Sequence, residues 1–284
     1  MLQLIRSGRP APAETHSEHA LGASDQVASA DTEERRPLEV PSPIFDLAGL
    51  TLTDREKKKA RVIGGRKRIV LSDVTMSLPA GRYAVLGDPN DRTAFIDLLM
   101  RRRYAADGRL NVHTTLSYPI GRVRLFTIPV HGADAVRFLA KLYSFDEEEA
   151  LAVLAEVLPR PSILSQRLDD AQNFERLSLS LGIATFLDVE TYVFDGNVGD
   201  PTFPLGFMRF VAENLAIRTA RRNIIVATRQ PQIACSLAVD SLVIERGNLS
   251  IVEGVDPAKV KTGPATAEPE PQEERDDEEA DGLF

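Results

Sequence analysis

A guanidinium and a hydroxyl stand side by side at Arg92-Thr93, closing the segment Gly87-Asp88-Pro89-Asn90-Asp91-Arg92-Thr93. The segment follows the apolar run 83–86, which reads as a short buried strand. A glycine-opened turn after such a strand can present backbone N–H groups to a phosphate. A cation beside it reaches the terminal oxygens, and a hydroxyl suits magnesium. Asp195 closes a second apolar run, Tyr192-Val193-Phe194. Its carboxylate reads either as a ligand for magnesium or water, or as a polar residue that merely ends a buried strand. Arg229 supplies a second guanidinium, and two such groups can clamp a phosphate. Asp200 adds a carboxylate five residues after Asp195. The segment 87–93 also opposes an anion. Pro89 donates no N–H, and Asp88 and Asp91 bring negative charge to the place a polyanion would occupy. Arg92 is thus either a phosphate contact or a solvated helix start.

The elements that must position these residues alternate between strand and helix patterns. Residues 44–53, 69–78, 83–86, 191–194 and 223–227 read as strands. Residues 241–245 and 249–252 read as a hairpin across Arg246-Gly247-Asn248. Helical spacing covers 93–102, 133–143, 146–158, 172–186 and 207–219. Ser144-Phe145-Asp146-Glu147 reads as a capping box opening the third of these, and Pro159 and Pro161 close it. Phe174 and Leu177 fall on a core-facing stripe. The alternation predicts an α/β domain with a mainly parallel core sheet over 43–255.

Residues 1–42 and 256–284 lack apolar periodicity and are expected to be disordered tails. Ten acidic and three basic residues from 256 onward, and seven and four in 1–42, account for more than the whole net charge of −8, leaving the body at +2. With no clustered basic face, the chain is not a nucleic-acid binder. A basic loop from Arg55 to Arg68 could touch lipid headgroups or simply be solvated. No run of about 18 apolar residues exists to cross a membrane, and residues 1–6 are too short an apolar stretch for a secretory signal. The lone Cys235 closes no internal disulfide, fits a reducing compartment and is expected to be buried. His113 and His131 have no ligand-like neighbours in sequence.

Several stretches, in order, resemble the ATP-binding subunits of ABC exporters, nearest to the capsular-polysaccharide export branch. Val70-Leu71-Ser72-Asp73-Val74 through Leu78-Pro79-Ala80-Gly81 is similar to the strand and turn before the family's P-loop. Leu116-Ser117-Tyr118-Pro119-Ile120-Gly121 resembles a strand element of that branch, and 133–143 resembles the first helix of its helical subdomain (about 133–187). Tyr192-Val193-Phe194-Asp195 with Val198-Gly199-Asp200 resembles the Walker B strand and D-loop, and Leu242-Val243-Ile244-Glu245-Arg246-Gly247 the last hairpin. The resemblance covers about 44–254. It implies an ABC-type nucleotide-binding domain with a P-loop-like parallel core, antiparallel β elements and a helical subdomain. It also implies ATP and magnesium as ligands, met by Gly87, Asn90, Arg92, Thr93, Asp195, Asp200 and Arg229 with Thr93 and Asp195 on the magnesium, a membrane-spanning ABC permease and a second nucleotide-binding domain as partners, and a cytoplasmic place at the inner membrane.

Against the family pattern G-x-x-x-x-G-K-[ST], the segment 87–93 is one residue short, lacks the second glycine and carries Arg92 for the lysine. No aromatic lies between Phe45 and Tyr83 to stack on adenine. The Q-loop glutamine falls near Thr127, and the glycine-rich signature loop falls on Asp169-Asp170-Ala171-Gln172-Asn173. The catalytic glutamate falls on Gly196 and the switch histidine near Arg229. Two or three lost contacts of roughly 1.5–3 kcal/mol each predict weak ATP binding, and a lost general base predicts little hydrolysis. Three readings follow: a degenerate ATP-binding subunit of a polysaccharide exporter, a pseudo-ATPase scaffold or regulator of a polysaccharide synthesis complex, and an active ATPase rebuilt on Arg92, Thr93 and Asp195.

Overall fold

A computed structural model describes residues 42–55, 67–122, 130–196, 198–199 and 202–261. Both expected tails lie largely outside the described residues, as do Thr127, Asp200 and most of the basic loop. Among the described residues no helix is long and apolar enough to cross a membrane.

Two sheets form. In the first, β1 (Phe45–Arg55) lies between β2 (Lys67–Leu78) and β4 (Asp107–Val112), antiparallel to both. The second has the order β5 (Thr191–Asp195), β6 (Asn223–Ala227), β3 (Arg82–Leu86), β7 (Asp240–Glu245) and β8 (Asn248–Val252). Its first four strands are parallel and β8 returns antiparallel to β7. This is the mainly parallel core with antiparallel additions that the alternation predicts.

The helices follow from where the sheet must be covered. Strands buried on both faces read as continuous apolar runs, and β5 (TYVFD) is buried at every position. Alternate residues serve different layers. Tyr83, Val85, Val193 and Ile225 face α1 (Pro89–Leu99) and, beyond it, Phe45, Leu50 and Leu71 of the antiparallel sheet. Ala84, Leu86, Tyr192 and Phe194 face the opposite layer. That layer contains α2 (Gly132–Tyr143), α3 (Glu147–Val157), α4 (Asn173–Ala184) and α5 (Leu205–Thr219). α1 is therefore clamped between two sheets. Phe95 on it meets Phe45 edge to face at 5.9 Å, a geometry that adds about 0.5–1.5 kcal/mol beyond burial.

The structure corrects several sequence expectations. α1 begins at Pro89, not Thr93, because Asp88 caps it and proline suits the first helical position. Ser144 does not open α3: it ends α2 in a left-handed conformation, and Asp146 is the cap, accepting from the N–H groups of Glu148 and Glu149. The segment 116–120 is not a full strand but makes two bridges to β5, Leu116 with Thr191 and Ile120 with Phe194. β4 and α6 (Pro231–Leu237) carried too little apolar periodicity to be read. The described chain passes the boundary at 255, since α7 (Pro257–Lys261) docks with Val260 fully buried. Cys235 is exposed on α6, where Ala234 takes the inward position. Leu177 is buried and Phe174 partly so.

Candidate functional site

The carboxyl ends of β3, β5 and β6 open onto one cleft of about 400 Å³, the position where open α/β sheets take ligands. Arg92, Thr93, Arg122, Asp195, Thr228 and Arg229 line it. Four of the sequence candidates, Arg92, Thr93, Asp195 and Arg229, thus come together. Asp200 lies outside the described residues. Gly87 and Asn90 are not on the cleft wall.

Gly87 has another task. Its φ is +133° and a Cβ there would stand 2.6 Å from the Ile244 carbonyl oxygen, so its backbone is set by packing against β7. Only Asp88 separates it from α1, so no loop curls around an anion. The start of the helix is filled by its own chain. Asp88 Oδ1 accepts from Asn90 N at 2.8 Å, and Arg68 on β2 reaches Asp91 at 2.6 Å and Asp88 at 3.5 Å. The Asp91 carboxyl is pushed up, first by burial and against the pull of Arg68. Arg68, one end of the expected basic loop, is therefore turned onto α1.

Arg92 is not a solvated helix start: it is only 4% exposed. From the first turn of α1 its Nη1 donates to the Thr228 carbonyl at 2.8 Å, tying α1 to the end of β6. Burial lowers its proton affinity most, and Arg229 lowers it further, against Asp195 and Asp88. Arg229 itself is exposed at the rim.

Sequence reading missed Arg122. Ile120 N donates to Val193 O at 2.8 Å and Asp195 N donates to Ile120 O at 2.7 Å. That register carries the chain past the end of β5 and delivers Arg122 to Asp195. Its Nε bonds the Asp195 carboxylate and its Nη1 bonds Asp97 Oδ1 at 2.6 Å. The pair is mostly enclosed, with side chains 17% and 11% exposed. Burial works against the Arg122 charge, but Asp195 and Asp97 outweigh it and the guanidinium holds its proton more tightly. The Asp195 carboxyl is raised by burial, and Arg122 opposes that rise. No local sequence signal marks Arg122: the segment ending at Ile120 brings it to Asp195 only through the bridge of Ile120 to Phe194.

Magnesium does not fit this arrangement. Of its two expected ligands, Asp195 already accepts from Arg122, and the cleft wall carries three guanidiniums. His113 pairs with Asp46 at 2.7 Å on the antiparallel sheet, away from the cleft.

The stretch expected to be the signature loop shows a second self-capped helix. Glu175 Oε2 accepts from Gln172 N at 2.8 Å, so α4 closes its own N-terminus. Gln166 and Arg160 also reach the Glu175 carboxylate, both at 3.3 Å.

No family model matches the chain, and no curated protein matches it. Solved structures do. One is described as the ATP-binding subunit of an ABC transporter, 15% identical, TM-score 0.55, covering 74% of this chain and 90% of that one. Another is a metal-chelate-type ABC transporter in an inward-facing conformation, 14% identical, TM-score 0.48, covering 75% and 84%. The former likeness bears out the fold: an α/β domain of the kind found in ABC ATP-binding subunits.

Proposed function

We propose that this chain is a subunit of an ABC-type export system whose nucleotide domain does not hydrolyse ATP. The observation that carries the reading is the Arg122–Asp195 bond. The carboxylate that would organise magnesium and water is held by a guanidinium, and the next residue is Gly196 rather than an acid. The helix start that would receive phosphates is capped by Asp88 and lacks the Pro89 N–H. In this reading ATP with magnesium binds weakly, and turnover belongs to a second nucleotide-binding domain.

The partner is a membrane-spanning permease at the cytoplasmic face of the inner membrane, and the cargo is a polysaccharide of the capsule type. Support for the cargo is the sequence resemblance of 116–121 and 133–143. Support for the docking is the resemblance itself, to a family whose members pair with a permease. Phosphate release from magnesium ATP by the purified full-length chain tests the catalytic part. No release above the protein-free rate is expected, and steady turnover would sink it. Purification from detergent-solubilised membranes tests the partner: a permease should emerge with the chain, and its absence would favour a scaffold acting without transport.

A further inference from the structure

The carboxylate expected to meet magnesium is held by Arg122, while the cleft wall suits anions. That wall carries three guanidiniums, Arg92, Arg122 and Arg229, against the single carboxylate of Asp195. That carboxylate is already bonded by Arg122, and Asp97 binds the same guanidinium through Nη1. The remaining terminal nitrogen, Arg122 Nη2, is buried and has no hydrogen-bond partner among the described residues. A buried donor without an acceptor is costly to keep. Arg92 and Arg229 meanwhile repel each other across the same space, which an anion between them would relieve. Guanidiniums offer paired N–H donors to phosphate oxygens. Asp88 and Asp91, which would repel an anion, are engaged with the start of α1 and with Arg68.

We propose that this cleft binds a polyphosphate chain without a divalent cation, Arg122 holding Asp195 where a metal would and the exposed Arg229 meeting the phosphates at the rim. The proposal rests on the non-hydrolysing reading of the same cleft. It also makes the phosphates, not a base, the recognised part of the ligand. The three arginines line the cleft, and residues 46–82 hold no aromatic ring to stack on a nucleobase. A nucleotide and free tripolyphosphate are the two sources of that chemistry.

The test is calorimetry on the full-length chain, titrating sodium tripolyphosphate and ATP separately, each with EDTA and with excess magnesium. Both ligands should bind in EDTA with affinities within a few-fold of one another. Magnesium should leave the affinity unchanged or weaken it, because it neutralises the ligand. Arg229→Ala, an exposed position that should fold normally, should weaken both ligands about 10- to 100-fold. Binding that requires magnesium, binding indifferent to Arg229→Ala, or no binding at millimolar ligand would overturn the proposal. Tripolyphosphate binding without ATP binding would support it and point to the free polyanion. The absence of binding together with an absence of hydrolysis would remove this inference and leave the proposed function standing. Magnesium-dependent binding with turnover would remove both.

Discussion

A Cβ on Gly196 would lie 3.0 Å from the carbonyl oxygen of Gly121, and Gly196 itself holds φ at +102°, a region that side-chain-bearing residues rarely enter. The position that follows Asp195 is thus closed to glutamate by its backbone, not only by its present identity. Gly196→Glu should therefore lose about 1–3 kcal/mol of stability and gain no ATPase activity. Urea unfolding and a phosphate-release assay read the two effects. A variant as stable as the parent, with measurable turnover, would show that the backbone adapts.

Arg122→Ala should destabilise the fold towards the low end of about 3–5 kcal/mol, since it leaves a mostly enclosed Asp195 carboxylate without its partner. The loss should depend on pH in a definite sense. Burial already raises the Asp195 carboxyl, and Arg122 opposes that rise. Without the arginine the folded variant binds a proton more readily than the unfolded chain does. Its stability then falls as pH rises through the raised Asp195 value. The deficit against wild type should be large at neutral pH and shrink below the ordinary carboxylate range, as denaturation midpoints across pH would show.

Glu175 behaves in the opposite direction. Burial alone would raise its carboxyl, but the Gln172 N–H, Arg160 and Gln166 together outweigh burial and lower it. Its contribution is present above the ordinary glutamate range and is lost as pH falls through the lowered value. Glu175→Gln should keep the helix cap and lose the ionic part, so its deficit at neutral pH should vanish in acid. Glu175→Ala should cost about 1–2 kcal/mol even there. Equal pH profiles for the two variants would contradict the assignment.

Asp88→Ala should cost about 1 kcal/mol through the lost α1 cap. It should also leave Arg68 with one carboxylate fewer. If Asp88 instead acted on a ligand, its removal would change anion affinity more than stability; thermal unfolding beside the tripolyphosphate titration separates the two.

The sheet and its helices were legible because continuous apolar runs and helical stripes are one-dimensional signals: 223–227 was read residue for residue as β6. β4 was not, since DGRLNV holds two apolar residues on an exposed edge. Within the site, Arg92, Thr93, Asp195 and Arg229 were found through motif positions, although Arg92 turned out to hold the Thr228 carbonyl. Arg122 could not be found that way. Its role depends on a register between 116–120 and β5, formed across more than 70 residues of chain.

The strand order has a consequence for how the molecule is made. β3, the centre of the parallel sheet, pairs Arg82 with Ile224 and Tyr83 with Asp240. Its apolar edges therefore wait for the last third of the described chain before either neighbour exists. Such distant pairings place folding at the slow end of the range for domains of this size, and an unpaired buried strand is sticky meanwhile. On the ribosome the first half can complete only the β1–β2–β4 sheet with α1. A chain truncated before residue 223 should accumulate as an aggregate, and a holdase chaperone should be most needed late in synthesis.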